Sequence, residues 1–180
     1  MAGQAAGGSG WLLLAFQPRA GTLVNQWAAD DAQAVAGGVP LLALNLHRGD
    51  HRVEDFLANV DWRGVYARYQ AAVHAASDAF ACEPDAIGDA LVVDVRRAGV
   101  FDKAGTMVAG ALRRDPEQVA NWSADLEPGR PLVVYCVYGH EVGRATALRL
   151  RAAGHDARFL QGGIAAWEAA GRPLRTIGPD

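Results

Sequence analysis

The stretch PLVVYCVYGHEVGRATALRL, Pro131 to Leu150, decides how the rest of the chain is read. Pro131 to Tyr135 is a short apolar, β-branched run, the pattern of a buried strand, and from Val142 onward Ala, Leu and Arg alternate at helical spacing. Cys136 therefore falls where a strand hands over to a helix. A thiol at a helix N-terminus faces unpaired backbone N–H groups and the positive end of the helix dipole. Both favour the anionic, nucleophilic form of sulfur. A lone Cys after an apolar strand is also compatible with a small core residue. Two features favour the reactive reading: the loop VYGHE is polar, with Gly139 letting the backbone curl inward, and it holds no other nucleophile. Cys136 is thus the nucleophile candidate of the chain.

Working outward, the 180 residues suffice for one α/β domain with a sizeable core plus an extension. Hydrophobic residues make up 51% and charged residues 21%, as in ordinary globular proteins. The formal net charge of -3 gives no reason to expect nucleic acid or an anionic membrane surface as partner. The two cysteines, Cys82 and Cys136, stand too far apart for a CxxC pair and too few for a disulfide framework, which suits a reducing cytoplasm. WLLLAF, Trp11 to Phe16, is too short for a membrane span and lacks the basic flank of a secretory signal. A cytoplasmic protein without a membrane partner is expected.

Residues 1–80 read as a mixed or helical extension of unknown role, with 1–10, rich in Gly, Ala, Ser and Gln, as a flexible tail. Trp11 to Phe16 and Val39 to Leu46 each suggest a strand, and an Ala-rich helix is expected between them over Asn25 to Val35. From Val53 to Phe80 apolar residues such as Val53, Phe56, Val60, Val65, Tyr69 and Val73 recur at amphipathic-helix spacing, and Gly64 is the expected break. His47, His51 and His74 are irregularly spaced, and no Cys or paired carboxylate completes a metal shell around them. They read as surface or capping histidines.

From Cys82 the pattern changes. Leu91 to Val95 is an apolar strand ending in DVRR, and Asp115-Pro116 is the start of a helix, Asp115 as N-cap and Pro116 at the first helical position. Gly154 closes the helix after Cys136, Ala157 to Leu160 is the next strand, and Gly162-Gly163 turns into a last helix carrying Trp167. Strand and helix alternate, which predicts a parallel sheet covered on both faces. Ligands of such sheets bind at the carboxyl ends of strands, where Cys136 and the Asp94–Arg96 corner both fall.

Four stretches, LVVDVRRAGVF (Leu91 to Phe101), VAGAL near Ala111, VVYCVYGHEVGRA, and FLQGGIAAWEAAGRPL (Phe159 to Leu174), resemble in order and spacing a rhodanese-like sulfurtransferase domain. The loop CVYGHEV further resembles bacterial single-domain rhodaneses, some found with chromate-resistance proteins. The resemblance implies a three-layer α/β/α fold over residues 81–176. In the family a short strand and helix precede the DVR strand. The segment DAFACEPDAIGDA offers no clear strand, so either an upstream run such as VPLLALNL donates it or the sheet edge is abbreviated.

The resemblance also implies chemistry. Cys136 would take a sulfane sulfur from thiosulfate or a persulfide and pass it to a thiol, cyanide or a protein acceptor, without metal or organic cofactor. N–H groups from Val137, Tyr138, Gly139, His140, Glu141 and Val142 would cradle the anionic sulfur. Many relatives carry a basic residue in this loop; here His140 can assist anion binding while Glu141 opposes it or serves the helix N-terminus. Asp94 would brace the loop or Arg96, and Arg96 would offer a forked cation to the pocket or stand as a strand-end charge. Arg113 and Arg114 line the rim or face solvent. Phosphatases and arsenate reductases of related fold carry Arg six residues after Cys; that position is Val142, and the nearest Arg is Arg144. The other rival is a non-catalytic interaction module. Cys82 is either a buried thiol or a partner that resolves a Cys136 persulfide.

Overall fold

The structure, a computed structural model, describes residues 10–30, 37–47 and 53–178. They divide into two compact units, one taking in Thr22–Ala72 with the chain up to Pro18, the other Arg19–Gly21 and the chain from Val73 onward.

In the first unit β1 (Trp11–Gln17), β2 (Thr22–Ala28) and β3 (Val39–Asn45) form an antiparallel sheet in the order β2-β1-β3. The helices α1 (Val53–Ala58) and α2 (Trp62–Ser77) follow, the last turn of α2 being counted with the second unit. Phe16, fully buried, meets the Tyr69 ring of α2 edge-on at 5.6 Å. The Arg68 side chain, one residue earlier, donates to the Leu41 carbonyl at 2.8 Å. The two apolar runs are strands as expected. The expected helix over Asn25–Val35 is not found where the chain is described: Asn25 to Ala28 belong to β2, paired in register with β1 from Trp11↔Ala28 to Gln17↔Thr22. The alternation of TLVNQWA lets one side of the strand turn inward, and pairing with β1 overrides the local Ala content. Residues 31–36, and 1–9 of the tail expected over 1–10, lie outside the described residues, while Gly10 is no free tail: it is buried and its carbonyl accepts from the Leu46 N–H at 2.7 Å. The helical pattern breaks at Asn59 to Asp61 and not at Gly64. Asp61 caps α2 by accepting from the Gly64 N–H at 3.1 Å, so the glycine lies in the first turn.

The second unit opens with a 3₁₀ turn, Asp78–Phe80, and then runs β4 (Ala81–Cys82), β5 (Leu91–Asp94), α3 (Ala98–Phe101), β6 (Thr106–Val108), β7 (Leu112–Arg113), α4 (Val119–Trp122), β8 (Leu132–Tyr135), α5 (Glu141–Ala152), β9 (Ala157–Leu160), α6 (Gly163–Ala169) and β10 (Leu174–Thr176). Five strands make a parallel sheet in the order β4-β9-β8-β5-β7, and β10 pairs with β6 in a separate antiparallel ribbon. Of the two alternatives for the first strand, the abbreviated edge is observed. β4 has two residues, paired with Phe159 and Leu160, while VPLLALNL lies in the other sheet.

β8 is central and all four of its residues are buried, as a strand covered on both faces must be. Its side chains alternate between two cores. Val133 and Tyr135 point into one with Cys82, Met107, Leu160 and Trp167, and Leu132 and Val134 into the other with Val93, Trp122, Leu150 and Phe159. Burying such an aliphatic side chain is worth about 1.5–3 kcal/mol, so the two layers fix the register of β8 firmly. Asp115 caps its helix as expected, accepting from the Glu117 N–H at 2.9 Å with Pro116 following.

Candidate functional site

β8 ends at Tyr135 and α5 begins at Glu141, one residue earlier than the spacing indicated. Cys136 and the loop Val137 to His140 fill the gap. Cys136 is 6% exposed. Gly143, in the first turn of α5, comes so near that a Cβ there would lie 3.4 Å from the Cys136 sulfur. The thiol therefore sits against the amino end of α5, the positive end of its dipole.

The backbone of the loop is held from outside. The carbonyl of Cys136 accepts from the Ile164 N–H at 3.0 Å and that of Val137 from the Ala165 N–H at 3.1 Å, both on α6. The Gly139 carbonyl accepts from Arg144 Nε at 2.9 Å, and the His140 carbonyl from the Arg144 N–H at 3.2 Å. None of the N–H groups from Val137 to His140 donates to a protein acceptor among the described residues. Carbonyls committed and amides uncommitted is the arrangement an anion cradle needs.

Two glycines make the close approach possible. Gly139 has φ +70°, and a Cβ would meet Gly162 N at 2.7 Å and Leu160 O at 2.9 Å. Gly163 has φ +61°, and a Cβ would fall 2.6 Å from the Cys136 carbonyl. Both positions need the left-handed region that side chains avoid. The Gly162-Gly163 turn thus supports the loop.

A cleft of about 450 Å³, open to solvent, lies over the sulfur and is lined by Arg96, Arg97, Val100, Cys136, Val137, Tyr138, His140, Glu141 and Val142. Every residue expected to bind substrate faces it except Gly139, which shapes the loop from behind. Tyr138, 62% exposed, and Val100, 44% exposed, form an apolar rim. The Tyr138 and His140 rings lie 5.8 Å apart. Glu141 is buried in the wall.

Asp94 and Arg96 form one buried unit. Arg96 Nε donates to both carboxylate oxygens at 3.0 Å, Nη2 to Asp94 Oδ2 at 2.5 Å and to the Thr106 carbonyl at 3.0 Å. The Arg96 backbone N–H donates to Asp94 Oδ1 as well. Arg96 is therefore no strand-end charge: it is 5% exposed, and its Nη1 edge makes no hydrogen bond among the described residues. Arg113 and Arg114 do not line the cleft. Arg113 stacks on Phe101 at 4.8 Å, and each arginine donates to the other's carbonyl.

Two residues of this region were given no role from sequence. Tyr135 donates its phenol to Asp94 Oδ2 at 2.8 Å and accepts from the Val108 N–H at 3.1 Å. Burial, with the Asp94 charge next, pushes its ionisation well above the ordinary value. Arg144 is 6% exposed. Besides Gly139 it donates to Ser77 Oγ at 3.1 Å and Asp78 Oδ1 at 2.5 Å, and it lies 4.2 Å over the Phe159 ring. On the same side His74 is pushed toward its neutral form, by burial first and by the Arg144 charge next. A long apolar helix face with one arginine in it was the only signal for Arg144; its partners lie 66 and 67 residues away.

A parallel five-stranded sheet with a cysteine loop at the carboxyl end of its central strand and helices on both faces defines a three-layer α/β/α domain. Residues 82–170 match the rhodanese-like domain family, and the chain carries a rhodanese-like domain. Among solved structures, the rhodanese-like domain of an Anabaena protein is 24% identical, over 56% of this chain and 87% of that one, with a TM-score of 0.47. A Rhodopseudomonas palustris protein of unknown function, a possible tyrosine phosphatase, shares the fold at 18% identity, over 58% of this chain and 92% of that one, with a TM-score of 0.51. Among curated proteins, an iron superoxide dismutase of Cupriavidus metallidurans is 43% identical over 77 residues, 37% of this chain. The chain spans 39% of that relative's length. No helix among the described residues is long and apolar enough to cross a membrane.

Proposed function

We propose that the protein is a sulfurtransferase working through a persulfide on Cys136. The observation that carries this reading is the loop after Cys136, in which the Val137, Gly139 and His140 carbonyls are bound while, among the described residues, the four successive N–H groups from Val137 to His140 stay uncommitted. In the first step the Cys136 thiolate attacks the outer sulfur of thiosulfate or of a persulfide. A new S–S bond forms, the old one breaks, and sulfite or a thiolate leaves with the electron pair. The persulfide's negative charge lies among the loop amides, which need not reorganise to receive it. In the second step a thiol or cyanide attacks the outer sulfur, and the Cys136 thiolate departs. The two half-reactions share one site, so the kinetics are ping-pong.

The residues divide the work. Val137 to Val142 supply the amides, the free edge of Arg96 attracts the donor, Asp94 holds Arg96, and His140 adds donor capacity at the mouth. The rim of Tyr138 and Val100 suits an acceptor thiol presented on a protein as well as a small thiol. Phosphatase chemistry is disfavoured, because Arg144 spends its guanidinium on Gly139, Ser77 and Asp78. Among the described residues no group of three His, Cys, Asp or Glu side chains could hold an iron ion, and His51 lies outside them.

The test is intact mass of the full-length protein after incubation with thiosulfate or with a low-molecular-weight persulfide, beside Cys136→Ser. One added sulfur that cyanide removes and the Ser variant never gains is the expected result. No added sulfur from either donor overturns the enzyme reading in favour of an interaction module.

A further inference from the structure

We infer that Arg144 is the positioning residue of the Cys136 loop, and that it is anchored by Ser77 and Asp78, which precede the family match at residue 82. This rests on the sulfurtransferase reading for its activity readout alone.

The geometry is that of a strut. Arg144 stands in the second turn of α5, and its Nε donates to the Gly139 carbonyl at the top of the loop. The other end of the guanidinium is fixed by the Ser77 hydroxyl and the Asp78 carboxylate, and its face rests on Phe159 of β9. Ser77 is itself fully buried, its hydroxyl donating to the Val73 carbonyl at 2.7 Å. A guanidinium is a planar fork that holds two directions at once, which an ammonium does not. Gly139 is also the residue where a Cβ would collide with the backbone of Gly162 and Leu160, so the loop runs close against them. The strut and this contact together fix where the carbonyl points, and with it the neighbouring amides.

Burying a cation at this depth requires its compensation, and Asp78 supplies the paired charge. Asp78 is two-thirds exposed, so its substitution leaves no hole in the core. The rhodanese-like domain of this protein thus depends on a 3₁₀ turn that the family match does not include.

The experiment uses the full-length protein. The rate of Cys136 alkylation by iodoacetamide reports the loop directly, the rate of sulfur loading reports it in turnover, and melting temperature reports the fold. In Arg144→Gln both rates are expected to fall about tenfold, the scale of losing one charge-assisted hydrogen bond. Arg144→Lys should recover part of the loss. The double variant Ser77→Ala, Asp78→Ala, which keeps the arginine itself and its Gly139 contact, should lower both rates severalfold and lower the melting temperature as well, because the buried guanidinium loses its paired charge. Arg144→Gln, or the double variant if Arg144→Gln does not fold, with both rates at the wild-type level would overturn the proposal. A wild-type protein that accepts no sulfur overturns the sulfurtransferase reading instead, and the alkylation rates still decide the role of Arg144.

Discussion

The phenol of Tyr135 donates to the carboxylate of Asp94 at 2.8 Å, joining the last residues of two neighbouring parallel strands just below the sulfur. Asp94 in turn holds Arg96, so one buried chain of hydrogen bonds runs from the core to the cleft wall. Tyr135→Phe removes the hydroxyl and leaves the Val108 N–H without its acceptor. The expected loss of stability is about 1–3 kcal/mol near neutral pH. The same residue makes stability depend on alkali. Its folded form holds the proton more tightly than the unfolded chain, whose tyrosine titrates near the ordinary value of 10.0. Its contribution is therefore complete below that pH and is lost as pH rises above it. Urea midpoints at pH 8 and above pH 10 should converge between wild type and Tyr135→Phe; parallel curves would show that the phenol ionises as freely in the fold as outside it.

Gly139 and Gly88 both adopt positive φ, yet only Gly139 has backbone against the place a Cβ would take. Gly88→Ala should cost about 1–2 kcal/mol, the price of a left-handed side chain, and leave sulfur loading alone. Gly139→Ala should cost more and lower the loading rate at least tenfold, because the loop has to shift to clear Gly162 and Leu160. Comparing the two by urea unfolding and mass-detected loading separates strain from loop geometry. Equal effects on loading would remove Gly139 from the cradle.

Cys82 sits on β4, two strands from β8 in the order β4-β9-β8, hence about 10 Å away across the sheet. It opposes Leu160 and shares a core with Tyr135, whereas Cys136 continues to the face that α5 covers. A disulfide needs Cα atoms within about 7 Å, so Cys82 does not resolve a Cys136 persulfide without unfolding. It is 1% exposed, and burial pushes its thiol up from the ordinary range. Iodoacetamide should label Cys136 and spare Cys82 in the native protein, diamide should give no internal disulfide, and Cys82→Ser should load sulfur at the wild-type rate. A Cys82–Cys136 peptide in a digest of oxidised native protein would contradict the topology.

What could be read from sequence follows how local each signal is. The strand, the nucleophile and the helix after it lie within twenty residues, and periodicity with the Gly139 and Gly162-Gly163 punctuation carries them. Asp115 at its cap is equally local. The misreadings have the opposite cause. β2 was obscured by an Ala-rich tail beside it, and only its pairing with β1 makes it a strand. The hydroxyl of Tyr135 answers to residues 27 and 41 positions away, and Arg144 to residues 66 and 67 positions away. No spacing rule reaches that far, so Tyr135 read only as the end of a buried strand and Arg144 only as the nearest arginine after Cys136.

The remaining question is which donor the cleft prefers, and Glu141 is placed to decide it. Asp94 pairs with Arg96, Glu141 is buried in the cleft wall, and Arg97 stands exposed at the mouth, so side chains of both signs line the cleft. Such a site attracts the thiosulfate dianion less than one lined by basic side chains alone. A persulfide carried by a thiol brings one charge at most and can rest its body on Tyr138 and Val100. Removing one negative charge near a dianion in a half-open cleft is worth on the order of 1 kcal/mol, or roughly fivefold in rate. Glu141→Gln is therefore expected to raise the thiosulfate loading rate about fivefold relative to the persulfide rate, with the gain shrinking as salt is added. Loading rates from both donors, measured by intact mass at low and high salt, check this. A ratio of the two rates that the substitution leaves unchanged would mean that the loop amides, and not Glu141, set the donor.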